Sequence, residues 1–227
     1  WTSPTRGSVS PAEFIPAAEA TGMIMQLGEL ALREACEQTA LWERDGLLPE
    51  RFVTWVNLSG TQLSAGGIDA LVRKALAETG VSPRRLGLEV TETAIVQGGS
   101  AGERARAELQ ALHQDGVSIA IDDFGTGFSS LGQLRSFPID MIKVDRSFIQ
   151  GAAHDLRDAA ITANVVSLAH ALGLVAMAEG IESEAQLASL RDLGCDLAQG
   201  FLFARAVPPA ELAELLGGAA RDLRDAA

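Results

Sequence analysis

The strongest constraint on the fold of this 227-residue chain is a repeating alternation of short β-rich runs and longer helical stretches. The runs fall at Phe52–Ser59, Leu86–Thr91, Val117–Asp123, Met141–Asp145, Leu174–Glu179 and Leu197–Phe203. Successive starts lie roughly 23 to 34 residues apart. That is the length of one strand and its crossover helix, and a hairpin cannot use so much chain. Parallel strands joined by helices follow. Six such units make most of an eight-stranded α/β barrel, and a doubly wound open sheet is the alternative.

The connecting segments carry helix signals. Ser10-Pro11-Ala12-Glu13 offers an N-cap, a proline at the first helical position and a capping-box glutamate. Ser183 and Gln186 repeat that box. Leu27–Trp42 has apolar residues at helical spacing, with Glu29, Arg33 and Glu37 on the other side. The most apolar window, Ala159–Ala178, contains Asn164, Ser167 and His170 and is broken by Gly173. It predicts a buried helix followed by a strand, not a membrane span. A last helix starts at Pro209. No low-complexity linker interrupts the chain, so one domain over residues 1–227 is expected.

Composition narrows the function classes. A formal charge of −12 argues against DNA or RNA binding, because nothing would neutralise a run of phosphates. Cys36 and Cys195 stand far apart without CxxC spacing, which predicts reduced thiols in a cytoplasmic protein.

Each β run finishes on polar residues that a buried strand does not need. They are Asn57; Glu89, with Glu92 beyond it; the pair Asp122-Asp123; Lys143 and Asp145; Glu179; and Gln199. A polar residue often marks where one strand meets its loop, but six successive runs share the feature. In a parallel barrel the strand C-termini converge on one face, whereas an open sheet spreads them along a crevice. Glu89, Asp122, Asp123 and Glu179, with the amide oxygens of Asn57 and Gln199, are hard oxygen donors suited to Mg²⁺ or Mn²⁺. Two such ions suit an in-line phosphoryl displacement. The three histidines, His113, His154 and His170, fall in helical stretches and read as surface or core residues. Lys143 reads as a cation that orients the attacking water, with Asp145 two residues on to hold its ammonium. The glycine-rich Gly125-Thr126-Gly127 follows the acidic pair and offers backbone N–H groups to a phosphate.

These motifs together resemble the EAL domain, the cyclic di-GMP phosphodiesterase family. The resemblance rests on SPAEFIP at Ser10–Pro16, LGELALREAC at Leu27–Cys36, VNLS at Val56–Ser59 and LEVTET at Leu88–Thr93. It continues through DDFGTGFSSL at Asp122–Leu131, IKVDRSFI at Ile142–Ile149, AEGIE at Ala178–Glu182 and DLAQGFLF at Asp196–Phe203. It implies a TIM-like barrel and a two-metal hydrolysis of cyclic di-GMP to linear pGpG. Asn57, Glu89, Asp122, Asp123 and Glu179 resemble the family's metal ligands. Lys143 and Gln199 resemble the residues that position the water and the metals. Glu92 is similar to a glutamate that braces the loop after Asp123, a loop linked in the family to metal occupancy and dimerisation. Gly125, Thr126, Gly127 and Phe203 are the expected substrate contacts.

The family's Glu-Ala-Leu motif lies just before the position matching Trp1. These residues are therefore expected to lack it, together with the first barrel strand. The resemblance further implies a homodimer and fused regulatory domains such as GGDEF. The competing reading is a non-catalytic receptor that binds cyclic di-GMP and signals by shape. Such receptors are expected to lose acids at Asp122-Asp123 or at Lys143 and Glu92, all of which are present here.

Overall fold

The computed structural model describes residues 1–95, 99–126, 131–134, 136–151 and 155–225. A small antiparallel hairpin, β1 (Thr2–Ser3) with β2 (Gly7–Ser8), opens the chain. Six parallel strands then form a single sheet in chain order: β3 (Thr54–Leu58), β4 (Leu86–Thr91), β5 (Ser118–Phe124), β6 (Met141–Val144), β7 (Val175–Ala178) and β8 (Leu197–Ala198). Strands that neighbour in sequence and in space, each followed by helix, are the arrangement of a TIM-like barrel wall. A doubly wound sheet would reverse its order part-way, and this one does not.

The two faces of the sheet differ in chemistry. Leu88, Val90, Ile119, Ile121, Ile142, Val144, Ala176 and Ala178 alternate onto one face and are all at most 1% exposed. They share a core with Leu32, Leu76, Leu109, Val166 and Ala169 of the surrounding helices. Each fully buried Val, Leu or Ile side chain contributes roughly 1.5–3 kcal/mol, so this layer dominates the stability. The other face presents Trp55, Asn57, Glu89, Thr91, Asp122, Met141, Lys143 and Met177, fixed by the registers Asn57↔Glu89, Thr91↔Asp122 and Lys143↔Met177. Its polar members crowd toward the strand C-termini.

The helices largely follow the sequence signals. Ser183 and Gln186 make both bonds of the expected capping box. Helix Ile24–Arg44 covers the expected Leu27–Trp42 segment, and helix Leu156–Ala171 is followed by β7. Ser10 caps helix Pro11–Thr21 through the Ala12 N–H, but Glu13 turns outward to pair with Arg6 instead of closing a box. No helix among the described residues is long and apolar enough to cross a membrane.

The expected last strand, Leu197–Phe203, is shorter than its sequence suggests. Pairing ends at Ala198, because Gly200 packs directly on the backbone of Ile181, where a Cβ would come within 2.2 Å of it. The Leu202 N–H then donates to the Ile181 carbonyl and the Phe203 N–H to that of Gly200, so the chain curls into a turn.

His113 and His170 lie in or at the end of helices as expected, at the opposite end of the sheet from the polar cluster. His113 sits 2.9 Å from Asp140, whose other oxygen accepts the Ile119 N–H at 2.9 Å. His170 sits 2.9 Å from Asp196, which accepts the Ala176 N–H at 2.8 Å. The same clamp thus occurs twice, tying a helix end to the start of a strand. His154 lies outside the described residues.

Candidate active site

The centre of the site is a buried ammonium among carboxylates. Lys143, on β6, is 2% exposed, and its Nζ lies 2.8 Å from Glu89, 3.3 Å from Asp122 and 2.5 Å from Glu179. These partners come from β4, from β5 and from the residue just beyond β7. Burial alone would lower the Lys143 pKa, but the adjacent carboxylates outweigh it and raise the value above that of a free lysine. Burial also raises the Glu179 carboxyl pKa, a shift that the Lys143 ammonium only partly offsets. Three carboxylates around one ammonium leave two negative charges unbalanced. A buried excess of this kind calls for additional cation.

Asp145 does not hold the ammonium as expected from alternation along a strand. The strand ends at Val144, and Asp145 instead accepts the Ser147 N–H at 2.9 Å and the Ser147 hydroxyl at the start of the next helix. Those bonds outweigh burial and lower its pKa, and its carboxyl also meets that of Asp123.

Asp122 and Asp123 reach the same side of the sheet through a β-bulge. Strict alternation would send successive side chains to opposite faces. The β5–β6 register runs Ile121↔Ile142 and then Phe124↔Val144, so two residues of β5 stand against Lys143 alone. Asp123 occupies the extra place with φ 54°, the one positive φ at a non-glycine residue among those described. Aspartate tolerates this conformation better than most side chains. Carboxylate oxygens of Asp122, Asp123 and Glu179 all lie within 4.8 Å of one another. Burial, then Asp122, push the Asp123 pKa up to about 6. These crowded oxygens fit a hard divalent cation.

The loop after the acids is braced from the end of β4. Glu92, 3% exposed, accepts the Gly125 N–H at 3.0 Å through its Oε2. Gly125 has φ 102°, a conformation that glycine adopts freely, and a Cβ there would meet Phe148 at 2.9 Å. Thr126 is exposed, and its hydroxyl donates to the Asp123 carbonyl at 2.8 Å. Gly127 lies outside the described residues.

Asn57 is exposed at the end of β3, in direct register with Glu89. Gln199 is exposed just past β8, where its N–H donates to the Ala178 carbonyl at 2.8 Å. Phe203 is 55% exposed in the turn beyond it. Sequence reasoning did not single out Phe201, which is 56% exposed and carries the Arg205 guanidinium 4.3 Å from its ring centroid. The signal available was the aromatic doublet in Phe201-Leu202-Phe203.

A parallel barrel wall with carboxylates gathered at its strand ends defines a class of metal-handling barrel proteins, and comparison with known proteins gives the particular family. The EAL domain profile matches residues 1–206, and the chain belongs to the EAL domain family. It is 43% identical over 212 residues to the bifunctional diguanylate cyclase/cyclic di-GMP phosphodiesterase MucR of Pseudomonas aeruginosa, a match covering 93% of this chain and 30% of that protein. It is 42% identical over 216 residues to the cyclic di-GMP phosphodiesterase NbdA of the same organism, covering 95% of this chain and 27% of that protein. The chain thus spans less than a third of either relative. Among solved structures, the PaMucR phosphodiesterase in complex with c-di-GMP superposes with a TM-score of 0.88 at 42% identity, covering 93% of this chain and 84% of that one. The EAL domain of Mycobacterium smegmatis DcpA gives 0.78 at 37% identity, covering 86% of each chain.

Proposed function

We propose that this chain hydrolyses one phosphodiester bond of cyclic di-GMP to give linear pGpG, using two divalent ions, Mg²⁺ or Mn²⁺. The observation that carries the reading is the convergence of Glu89, Asp122, Asp123 and Glu179 around Lys143 at the strand ends. The activities named for MucR and NbdA supply the substrate.

Asn57, Glu89, Asp122, Asp123 and Glu179 would hold the metal, with Gln199 completing its surroundings. Divalent ions held there would supply Lewis acidity toward the phosphoryl oxygens. The chain's own residues do the rest. Lys143 stays protonated and donates to the attacking water, holding it in line with the scissile bond. Asp145 fixes the turn after β6 and meets Asp123 from the side. Glu92 holds the Gly125 N–H and with it the shape of the loop after the acidic pair, whose Gly125, Thr126 and Gly127 are the proposed substrate contacts. Phe203 offers an exposed aromatic face to a guanine base. A homodimer is part of the same proposal, and further regulatory domains, such as GGDEF, fit the greater length of MucR and NbdA.

Incubation with cyclic di-GMP and Mn²⁺ or Mg²⁺, followed by chromatography, tests the reading. Metal-dependent pGpG is expected. Intact cyclic di-GMP co-eluting with the protein would make the chain a receptor instead.

A further inference from the structure

Asn57 stands next to last in β3, in register with Glu89 of β4. The strand ends at Leu58, and the next few residues set the path of the backbone just beyond Asn57. Two residues on, Ser59 caps the short helix Gly60–Ala65, and Gln62 closes the box. The Gln62 N–H donates to Ser59 Oγ at 3.2 Å, and the Ser59 N–H donates to Gln62 Oε1 at 3.1 Å. Gln62 is only 2% exposed, although its side chain is a polar amide.

The other end of that amide is unusual. Its Nε2 is the single buried side-chain nitrogen or oxygen without a hydrogen-bond partner among the described residues. It lies flat on helix Ile24–Arg44 at Gly28, where a Cβ would come 2.0 Å from Nε2 and 2.9 Å from Cδ. Glycine inside a helix is a poorer choice than alanine unless something needs the space. Leaving a buried donor unmet is also unfavourable. Two unfavourable choices meet at one contact, and both serve to keep the amide oxygen on the Ser59 N–H. Gly28, Asn57, Ser59 and Gln62 line a single groove of ≈ 900 Å³ over β3.

We infer that Gln62 is a positioning residue for the candidate metal ligand Asn57, seated in a notch that Gly28 leaves in the neighbouring helix. The inference rests on the metal-centre reading under Proposed function. The notch fixes the amide, the amide fixes the backbone turn at Ser59, and that turn fixes the angle at which Asn57 leaves β3. Groups that orient a ligand from behind typically change metal affinity by about 10–100-fold when removed.

The test is a double-mutant cycle read by calorimetric titration with Mn²⁺ and by thermal unfolding, without substrate. Gln62→Ala is expected to weaken Mn²⁺ binding by about tenfold, at the low end of that range. Gly28→Ala introduces the better helix former yet is expected to lower Tm, because the added methyl displaces the amide. In the double variant Gly28→Ala/Gln62→Ala the clash is gone, so Tm recovers while Mn²⁺ binding stays about tenfold weak. A purely structural role would move Tm and leave affinity alone. Mn²⁺ binding within twofold of the unsubstituted chain in Gln62→Ala or the folded double variant overturns the inference. An unsubstituted chain that takes up no Mn²⁺ overturns the metal-centre reading itself, and this inference with it.

Discussion

Lys143 Nζ lies 2.5 Å from Glu179 Oε1, one side-chain period beyond Met177, the residue paired with Lys143 across the β6–β7 ladder. Glu179 has already left the strand, yet its N–H still donates to the Val144 carbonyl at 3.2 Å, which extends the ladder by one step and aims the carboxylate inward. The lysine and its three acids are therefore set by backbone pairing, before any metal binds. Replacing Lys143 by Met leaves Glu89, Asp122 and Glu179 facing one another without a counter-charge. Loss of one partner from a buried ionic group costs about 3–5 kcal/mol. We expect a markedly lower Tm for Lys143→Met without metal and partial recovery on adding Mn²⁺. Equal Tm values with and without Mn²⁺ would count against the shared site.

Titration of Asp123 gives the site a pH signature. Its carboxyl titrates near pH 6 in the fold, against an ordinary value of 3.8. Between about pH 4 and pH 6 the folded chain keeps a proton that the unfolded chain has released, so metal-free stability falls as pH rises through this window. Above about pH 6 the penalty is complete. Metal needs the ionised carboxylate, so Mn²⁺ affinity should rise by about tenfold from pH 5 to pH 7 and then level off. Asp123→Asn should flatten that rise, and an undiminished rise in this variant would remove Asp123 from the site.

The Glu92–Gly125 bond links the end of β4 to the loop after the acidic pair. Glu92→Ala removes the acceptor of the Gly125 N–H, a loss of about 0.5–1.5 kcal/mol concentrated on that loop. Activity should fall by roughly tenfold or more while global unfolding changes little, because the apolar layer is untouched. Unchanged turnover would mean that the loop holds its shape without Glu92.

Residues at the far end of the sheet should separate stability from chemistry. Asp140→Ala and Asp196→Ala each break a histidine contact and a strand N–H bond. Each should cost about 1–2 kcal/mol in denaturant unfolding and leave the rate on cyclic di-GMP within twofold. A large rate loss from either one would contradict the placement of the chemistry at the strand C-termini.

Much of this was legible in the sequence because barrel strands announce themselves by spacing and by their polar ends. Asn57, Glu89, Asp122 and Lys143 could be assigned to one face from period-2 alternation alone. Asp123 could not, since alternation sends it outward and only the inserted residue opposite Lys143 brings it back. Asp145 failed for the related reason that β6 stops at Val144, a boundary set by the helix that Asp145 itself starts. The truncation of β8 at Ala198 was invisible because it depends on Gly200 touching the backbone of Ile181, 19 residues earlier in the chain. Gln62 read as an ordinary helix residue. Its significance needs Gly28, which is distant in sequence and adjacent in space.

Metal-dependent hydrolysis of cyclic di-GMP by the strand-end carboxylates is tested by the initial rate of pGpG formation from the unsubstituted chain and from Asp122→Asn, at equal Mn²⁺ and with matching circular dichroism. The expected result is pGpG from the former, abolished by a chelator, and a rate at least about a thousandfold lower from the variant. Equal rates from the two proteins, or no pGpG from the unsubstituted chain, would contradict it.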